Sequence, residues 1–461
     1  MTSAAKIFGT DGVRGVANVY PMTVEMALAI GQGVASVFKN HERRHKIIIG
    51  KDTRISGYMF ENALVAGICS MGVDVMLVGP QPTPAIAFLT RNMRADAGVV
   101  ISASHNPYED NGIKVFGGNG FKLPDPLEER VEDFVRQRER CPADTQGGPV
   151  PGQVGKARRI DDATGRYIVF LKNSFPANLT LDGLKIALDC AHGATYKVAP
   201  AVFSELGAKL TVTGAEPDGT NINREVGATH PENLARLVAT AGADVGLAFD
   251  GDGDRLIMTD ENGRVVDGDQ IMALCADDMF TMGTLKHATV VATVMSNLGL
   301  ELCLRERGIR MLRTKVGDRF VVEAMVQGGY SLGGEQSGHI IFLDYNTTGD
   351  GILSALQVLS IMLRTGKRLS ELTAIMPRVP QVLINLPVTK KPPLGELPGV
   401  MKAHKAMDEL LGERGRLLLR YSGTESKIRI MVEAEDQALL DRVAGEMQEV
   451  VARELGAGSE G

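Results

Sequence analysis

Apolar and polar positions fall in blocks along this chain, and three stretches repeat one order. Each opens with an apolar run rich in β-branched residues and passes a polar turn. An amphipathic helical pattern follows, stops at Gly, and gives way to a second apolar run. The first stretch covers residues 46–78 (KIIIGKDTR, a helix through Cys69, Gly72, VDVMLV). The second covers 184–212 (LKIALDC, a helix through Leu206, Gly207, AKLTV), and the third 288–313 (ATVVATV, a helix through Arg307, Gly308, IRMLR). Gly72, Gly207 and Gly308 stand where a helix C-terminus needs a left-handed residue before the chain turns back. Strands apolar on both faces and separated by helices predict largely parallel sheets covered on both sides. The chain reads as a triplicated α/β unit.

The last segment differs: a strand RLLLR, a loop YSGTES, a strand IRIMVE and a helix over about 436–454, an α+β order. Stretches dense in Pro and Gly, 141–155 and 385–399, mark breaks between units. The expected architecture is α/β: three successive mixed-sheet domains of similar topology (1–155, 156–265, 266–378) and a smaller C-terminal α+β domain (379–461). Gly31-x-Gly33 lies within an amphipathic pattern and reads as helix packing.

With 461 residues, 44% of them hydrophobic and 23% charged, the chain has the composition of a folded soluble protein with several cores, so a site between domains is open to it. Fifty basic against 56 acidic side chains and no Trp give neither the basic footprint nor the aromatic platform of nucleic-acid binding. No apolar run reaches a membrane span of ~20 residues. The start, MTSAAKIFGTDG, lacks the basic and apolar segments of a signal peptide. Cys69, Cys141, Cys190, Cys275 and Cys303 form no C-x-x-C pair. They are expected to be reduced thiols in a cytoplasmic protein, without a catalytic role.

Four stretches carry candidate chemistry. In VVISASHNPYEDNGIK an apolar strand runs into a turn bearing Ser102, Ser104, His105, Asn106 and Pro107, with Lys114 a few residues on. A serine there is presented as a nucleophile is, although a hydrogen-bonded turn uses the same residue types. In DVGLAFDGDGDRLIM, alternation in an extended chain would put Asp250, Asp252 and Asp254 on one side, where like charges are tolerable around a cation. Such oxygen ligands suit Mg²⁺ or Ca²⁺. A calcium loop counted from Asp250 would end at Glu261, but it has Arg255 where it needs Gly. Phosphate carried on Ser104 would complete the metal's shell and make the two stretches one site. In LGGEQSGHIIF, Glu335, Ser337 and His339 alternate and could face one ligand, a carboxylate and a hydroxyl suiting a sugar ring. In LRYSGTESKIRI, Arg420, Ser422, Gly423, Thr424 and Arg429 offer the donors of a phosphate cradle, with a simple hairpin turn as the plainer reading. No nucleotide P-loop is present, and Gly50-Lys51-Asp52-Thr53 is too short to be one.

Together with FGTDGVRG, ISASHNPYEDNGIK, TVMSNLGLE, GGEQSGH and RYSGTE in this order, the three repeated units make the chain resemble the phosphohexomutase superfamily over essentially its whole length. The resemblance implies a cleft between the four domains, closed by a small mobile last domain. It implies phosphoserine at Ser104 and one Mg²⁺ per subunit on Asp250, Asp252, Asp254 and Ser104. Glu335 and Ser337 would read sugar hydroxyls, with Lys315 of TKVGDR near the sugar. Arg420, Ser422, Gly423, Thr424 and Arg429 would hold the distal phosphate. Arg14, Lys114, Arg255 and His339 would neutralise the phosphoryl group or handle protons. Ser426, where Pro is commoner, and Tyr421 depart from the usual pattern but leave these donors in place. The implied reaction interconverts glucosamine 6-phosphate and glucosamine 1-phosphate, with a hexosamine or glucose 1,6-bisphosphate as intermediate or activator. It would supply amino-sugar nucleotide and cell-wall precursor synthesis. Mannose or glucose phosphates are the alternative substrates. The implied partners are a phosphosugar and a second copy of the chain in a homodimer, with no nucleic acid and no membrane.

Overall fold

The computed structural model describes residues 6–9, 11–39, 44–140, 150–422 and 426–456. The first sheet contains β1 (Val13–Val16), β2 (Lys46–Lys51), β3 (Asp74–Pro80), β4 (Ala97–Ile101), β5 (Asp110–Gly117) and β6 (Ala157–Arg159) in the order β1-β5-β4-β2-β3-β6. The second contains β7 (Lys185–Asp189), β8 (Lys209–Thr213), β9 (Val245–Phe249), β10 (Leu256–Thr259) and β11 (Val265–Val266) in the order β11-β10-β9-β7-β8. The third contains β12 (Thr289–Thr293), β13 (Arg310–Thr314), β14 (Leu332–Gly334) and β15 (Ile340–Phe342) in the order β13-β12-β14-β15. The fourth, β16 (Gln381–Pro387), β17 (Gly415–Tyr421) and β18 (Lys427–Ala434), is antiparallel in the order β16-β18-β17.

The first three sheets share one plan. The opening strand of each repeat (β2, β7, β12) lies between two parallel neighbours: β3, β8 or β13 on one side and β4, β9 or β14 on the other. A fourth strand (β5, β10, β15) then runs antiparallel beside the third. The largely parallel sheets that the pattern predicts therefore carry an antiparallel strand each. The connections over residues 102–109, 250–255 and 335–339 are too short for a parallel crossover. Those same connections hold the candidate residues Ser104, Asp250, Asp252, Asp254, Glu335, Ser337 and His339, so one position of the repeat supplies a different loop three times.

β4, β9 and β12 are buried along their whole length, as their apolar runs require. The helices Val24–Phe38 and Ser56–Ser70 cross where Gly31 and Gly67 let backbones touch; a Cβ on Gly67 would lie 2.3 Å from the Leu28 carbonyl oxygen. Gly72, Gly207 and Gly308 all have positive φ at helix ends, as expected.

By internal contacts the chain forms two compact units, residues 1–295 with 308–375 and residues 296–307 with 376–461. In the second unit, Leu386, Val400, Ile430, Val443 and Met447 belong to the core. The helix Gln437–Leu455 falls where the sequence places it. Part of the stretch 385–399 is structured: its first residues finish β16, and its last open the helix Pro398–Leu411. Of the stretch 141–155, residues 141–149, with Cys141, lie outside the described residues. The helix Leu298–Glu306, which the sequence joins to the third repeat, belongs to the second unit. Its first residues supply Asn297 Nδ2 and Leu298 N to the buried Glu433 carboxylate, at 3.1 and 3.3 Å. Asn297 and Val379 hydrogen-bond reciprocally at 3.0 Å. Among the described residues, no helix is long and apolar enough to cross a membrane.

Candidate active site

Ser104 sits in the β4–β5 connection with φ +53°, a left-handed conformation rare for residues other than Gly, and is buried. Its hydroxyl donates to Asp250 Oδ2 at 2.6 Å, so the first and second repeats meet there. The neighbouring His105 has Nδ1 3.4 Å from that hydroxyl. Burial, then Arg255 and Arg14, pushes this imidazole down to about 4. The loop is fastened from behind by Arg54, which is fully buried and paired with Asp52 at 2.8 Å. Its guanidinium donates to the carbonyls of Ser104 (2.9 Å), Asn106 (2.7 Å), Asp110 (3.0 Å) and Pro107.

The oxygens of Asp250, Asp252 and Asp254 gather within 4.8 Å of one another. A turn does this, not the extended alternation that the sequence suggests: Gly253 N donates to the Asp250 carbonyl at 3.0 Å, and Gly253 has φ +71°. Glu261 takes no part. It faces Ser370, and the calcium-loop reading has no support. Asp252 Oδ2 accepts from Lys114 at 2.9 Å and from Thr83 at 2.7 Å. Asp252 Oδ1 and Asp254 Oδ1 are buried with no hydrogen-bond partner. Burial, then Asp254 and Asp252, holds Asp250 well above the usual carboxylate range. Crowded acids with two orphaned oxygens are what a hard divalent cation satisfies, and an all-oxygen set of this size suits Mg²⁺.

The third loop is also a turn, with Gly338 N donating to the Glu335 carbonyl at 3.0 Å. It is joined to the second repeat, where Leu256 N donates to the Gly338 carbonyl at 3.0 Å and Arg255 bridges His339. Glu335 Oε1 accepts from Gly317 N at 3.1 Å, which brings the TKVGDR loop with exposed Lys315 alongside. Ser337 is exposed, and Glu335 half-buried. His339 does not stand beside them. It turns inward, with Nδ1 3.5 Å from Asp254 and Nε2 3.6 Å from Asp318. Burial alone would lower its pKa, but Asp254, then Asp318 and Glu335, carry it up to about 9.

Cations and acids alternate around a closed ring drawn from all three repeats. Lys114 lies 3.3 Å from Asp11, Asp11 pairs with Lys122, and Lys122 lies 2.5 Å from Asp318. Asp318 faces His339, His339 faces Asp254, and Asp254 returns to Lys114 at 3.9 Å. Despite burial, Lys114, Lys122 and Arg14 hold the Asp11 carboxyl well below its ordinary range. Arg14 on β1 pairs with Asp11, and the Nε atoms of Arg14 and Arg255 have no hydrogen-bond partner. Sequence reasoning missed Asp11, Asp52, Arg54, Lys122, Asn223 and Asp318. Asp11 and Asp318 stand inside the motifs FGTDGVRG and TKVGDR, so a signal was present for those two.

In the second unit, Arg420 on β17 and Arg429 on β18 are directly paired across the strands. Burial, then Arg429, lowers the Arg420 pKa. Two like charges placed opposite each other favour an anion between them. Ser422 is buried, and its carbonyl accepts from Lys391 at 2.7 Å. Gly423 and Thr424 lie outside the described residues.

Family models for phosphoglucomutase/phosphomannomutase match all along the chain: alpha/beta/alpha domain I over residues 5–140, domain II over 165–263, domain III over 267–379 and the C-terminal domain over 383–450. The phosphoglucosamine mutase of Syntrophotalea carbinolica is 60% identical over 98% of both chains. That of Geobacter sp. strain M21 is 58% identical over 99% of this chain and 100% of its own. Among solved structures, a phosphoglucomutase/phosphomannomutase family protein from Burkholderia thailandensis has the same fold (TM-score 0.81, 24% identity, 98% of both chains). So does N-acetylphosphoglucosamine mutase of Aspergillus fumigatus in complex with GlcNAc-6P and magnesium (TM-score 0.66, 17% identity, 97% of this chain and 96% of that one). Four matching domain models and near-full-length identity of this order place the chain in the phosphohexomutase superfamily, as a member of its phosphoglucosamine mutase family.

Proposed function

We propose that the protein interconverts glucosamine 6-phosphate and glucosamine 1-phosphate, with Ser104 carrying the phosphoryl group between the two ends of the sugar. The observation that carries this reading is the buried Ser104 hydroxyl held 2.6 Å from one of three clustered carboxylates. The names of the relatives at 56–60% identity support the hexosamine substrate.

In this reading the Oγ–P bond of phospho-Ser104 breaks as a sugar hydroxyl oxygen forms its own bond to phosphorus. The sugar hydroxyl gives up its proton and the freed Ser104 Oγ takes one, so the site's proton count is unchanged. Lys114 and His339, both held in the charged form by neighbouring acids, would neutralise the phosphoryl group and supply the proton to Oγ. The resulting 1,6-bisphosphate turns end over end, and its other phosphate returns to Ser104. The same bisphosphate, or a glucose analogue, would load a bare Ser104. Mg²⁺ held by Asp250, Asp252 and Asp254, with an oxygen on Ser104, would supply positive charge against the phosphoryl group. Arg14 and Arg255 offer donors to its oxygens. Glu335 and Ser337, with Lys315, would read the ring hydroxyls, while Arg420, Ser422, Gly423, Thr424 and Arg429 would hold the distal phosphate. The four-domain division at 155/156, 265/266 and 378/379 goes with this reading, as does a homodimer. A cytoplasmic setting goes with this reading, with Cys69, Cys190 and Cys275 as free thiols.

Intact mass before and after incubation with a hexose 1,6-bisphosphate tests it. Wild type should gain one phosphoryl group and Ser104→Ala none. A gain in Ser104→Ala would move the acceptor elsewhere, and faster turnover of mannose or glucose phosphates would replace the substrate.

A further inference from the structure

The main chain around Ser104 is gripped from two repeats at once, and none of the gripping groups donates to the reacting hydroxyl. From the first repeat, Arg54 donates to four carbonyls of the loop, including those of Ser104 and Asn106. Its partner Asp52 accepts from the Ser102 hydroxyl at 2.6 Å, and that hydroxyl accepts from Ser104 N at 2.9 Å. From the second repeat, Asn223 Nδ2 donates to the carbonyls of the same two residues, Ser104 at 2.8 Å and Asn106 at 3.0 Å. Asn223 is itself buried and left-handed, with φ +59°, and its N–H donates to the Ala191 carbonyl at 2.9 Å. A backbone bend that a serine avoids is thus fixed at its N–H by the nearby Ser102 hydroxyl, which Asp52 holds, and at its C=O by Arg54 and Asn223, both remote from it in sequence.

We propose that Arg54 and Asn223 are positioning residues for phosphoryl transfer. Their double grip on the Ser104 and Asn106 carbonyls returns Oγ to one place in each half of the cycle. The proposal rests on the reading of Ser104 as the phosphoryl carrier. In such a cycle the phosphoserine faces a competing acceptor: water. In hydrolysis the Oγ–P bond breaks, a water oxygen bonds to phosphorus, the serine regains a proton from that water, and inorganic phosphate leaves. A loosened loop slows transfer to the sugar, which depends on alignment, more than it slows attack by water.

The test uses full-length wild type, Asn223→Gly, Asn223→Asp and Arg54→Lys, with Mg²⁺ and a hexose 1,6-bisphosphate. Glycine accepts the left-handed backbone and removes only the amide, aspartate sets an acceptor against two carbonyls, and one ammonium replaces the fork of Arg54 poorly. Phosphoryl uptake is read by intact mass, and kcat, KM and inorganic phosphate released per turnover are measured at 25 °C. Asn223→Gly should lower kcat by about tenfold or more, keep KM within about threefold and release more phosphate per turnover. Asn223→Asp and Arg54→Lys should do so more strongly. Wild-type kcat and phosphate release in Asn223→Gly overturn the proposal, and that variant decides it if Arg54→Lys does not fold. Failure of wild type to take up a phosphoryl group sinks the reading of Ser104 instead.

Discussion

Asp350 shows what burial does to an acid outside the three loops. It caps the helix Gly351–Thr365, accepting from Leu353 N at 3.0 Å, and also accepts from the Tyr167 hydroxyl at 2.7 Å and Asn346 Nδ2 at 3.2 Å. Burial outweighs these bonds and raises its pKa to about 6. The unfolded chain releases that proton near ~3.9, so the folded state holds it more tightly. The stability this group contributes is complete below about pH 4 and lost as pH rises through about 6, a swing of about 3 kcal/mol. Asp350→Asn keeps a good cap and never ionises. Its melting temperature relative to wild type should therefore be higher at pH 7.5 than at pH 4.5, and an equal difference at both would refute the assignment. Asp252 runs the other way. Burial would raise it, but Lys114 holds it below the ordinary range, so its contribution is lost on acidification.

At the scale of elements, each loop that carries candidate residues depends on a turn. Gly338 has φ +91°, and a Cβ there would stand 2.2 Å from the Leu256 carbonyl oxygen. Gly338→Ala is expected to push the third loop off β10, lowering kcat/KM by on the order of a hundredfold and stability by about 1–3 kcal/mol. Unchanged kcat/KM and melting temperature would show that the loop tolerates displacement. The repeats and the places of the three loops were legible in the sequence because long apolar runs end abruptly in polar turns, and because the glycines that stop the helices recur in step. Less was legible where contacts cross the chain. Nothing in KIIIGKDTR says that Arg54 will fasten carbonyls some fifty residues away, and nothing near Asn223 points to Ser104. The turn that gathers Asp250, Asp252 and Asp254 was misread as an extended run because both geometries bring alternate acids together. β16 was missed because its half-exposed pattern ends in Pro387, which a strand end tolerates.

At the scale of the whole molecule, a cation that binds only the folded acids stabilises by mass action. Mg²⁺ at a hundred times its dissociation constant should add about 2.7 kcal/mol and raise the melting temperature by a few degrees. Asp252→Asn should abolish most of that rise, and a shift of the same size in the variant would mean that Mg²⁺ acts elsewhere. Chain connectivity has its own effect, because the backbone passes between the two compact units three times, after residues 295, 307 and 375. A gene fragment encoding only 379–461 would therefore omit a helix on which its sheet depends. It would leave Glu433, fully buried and salt-bridged to Arg416, without the amide donors of Asn297 and Leu298. Such a fragment should come out of cells insoluble, whereas supplying residues 296–307 as a separate peptide or a grafted segment should recover soluble material.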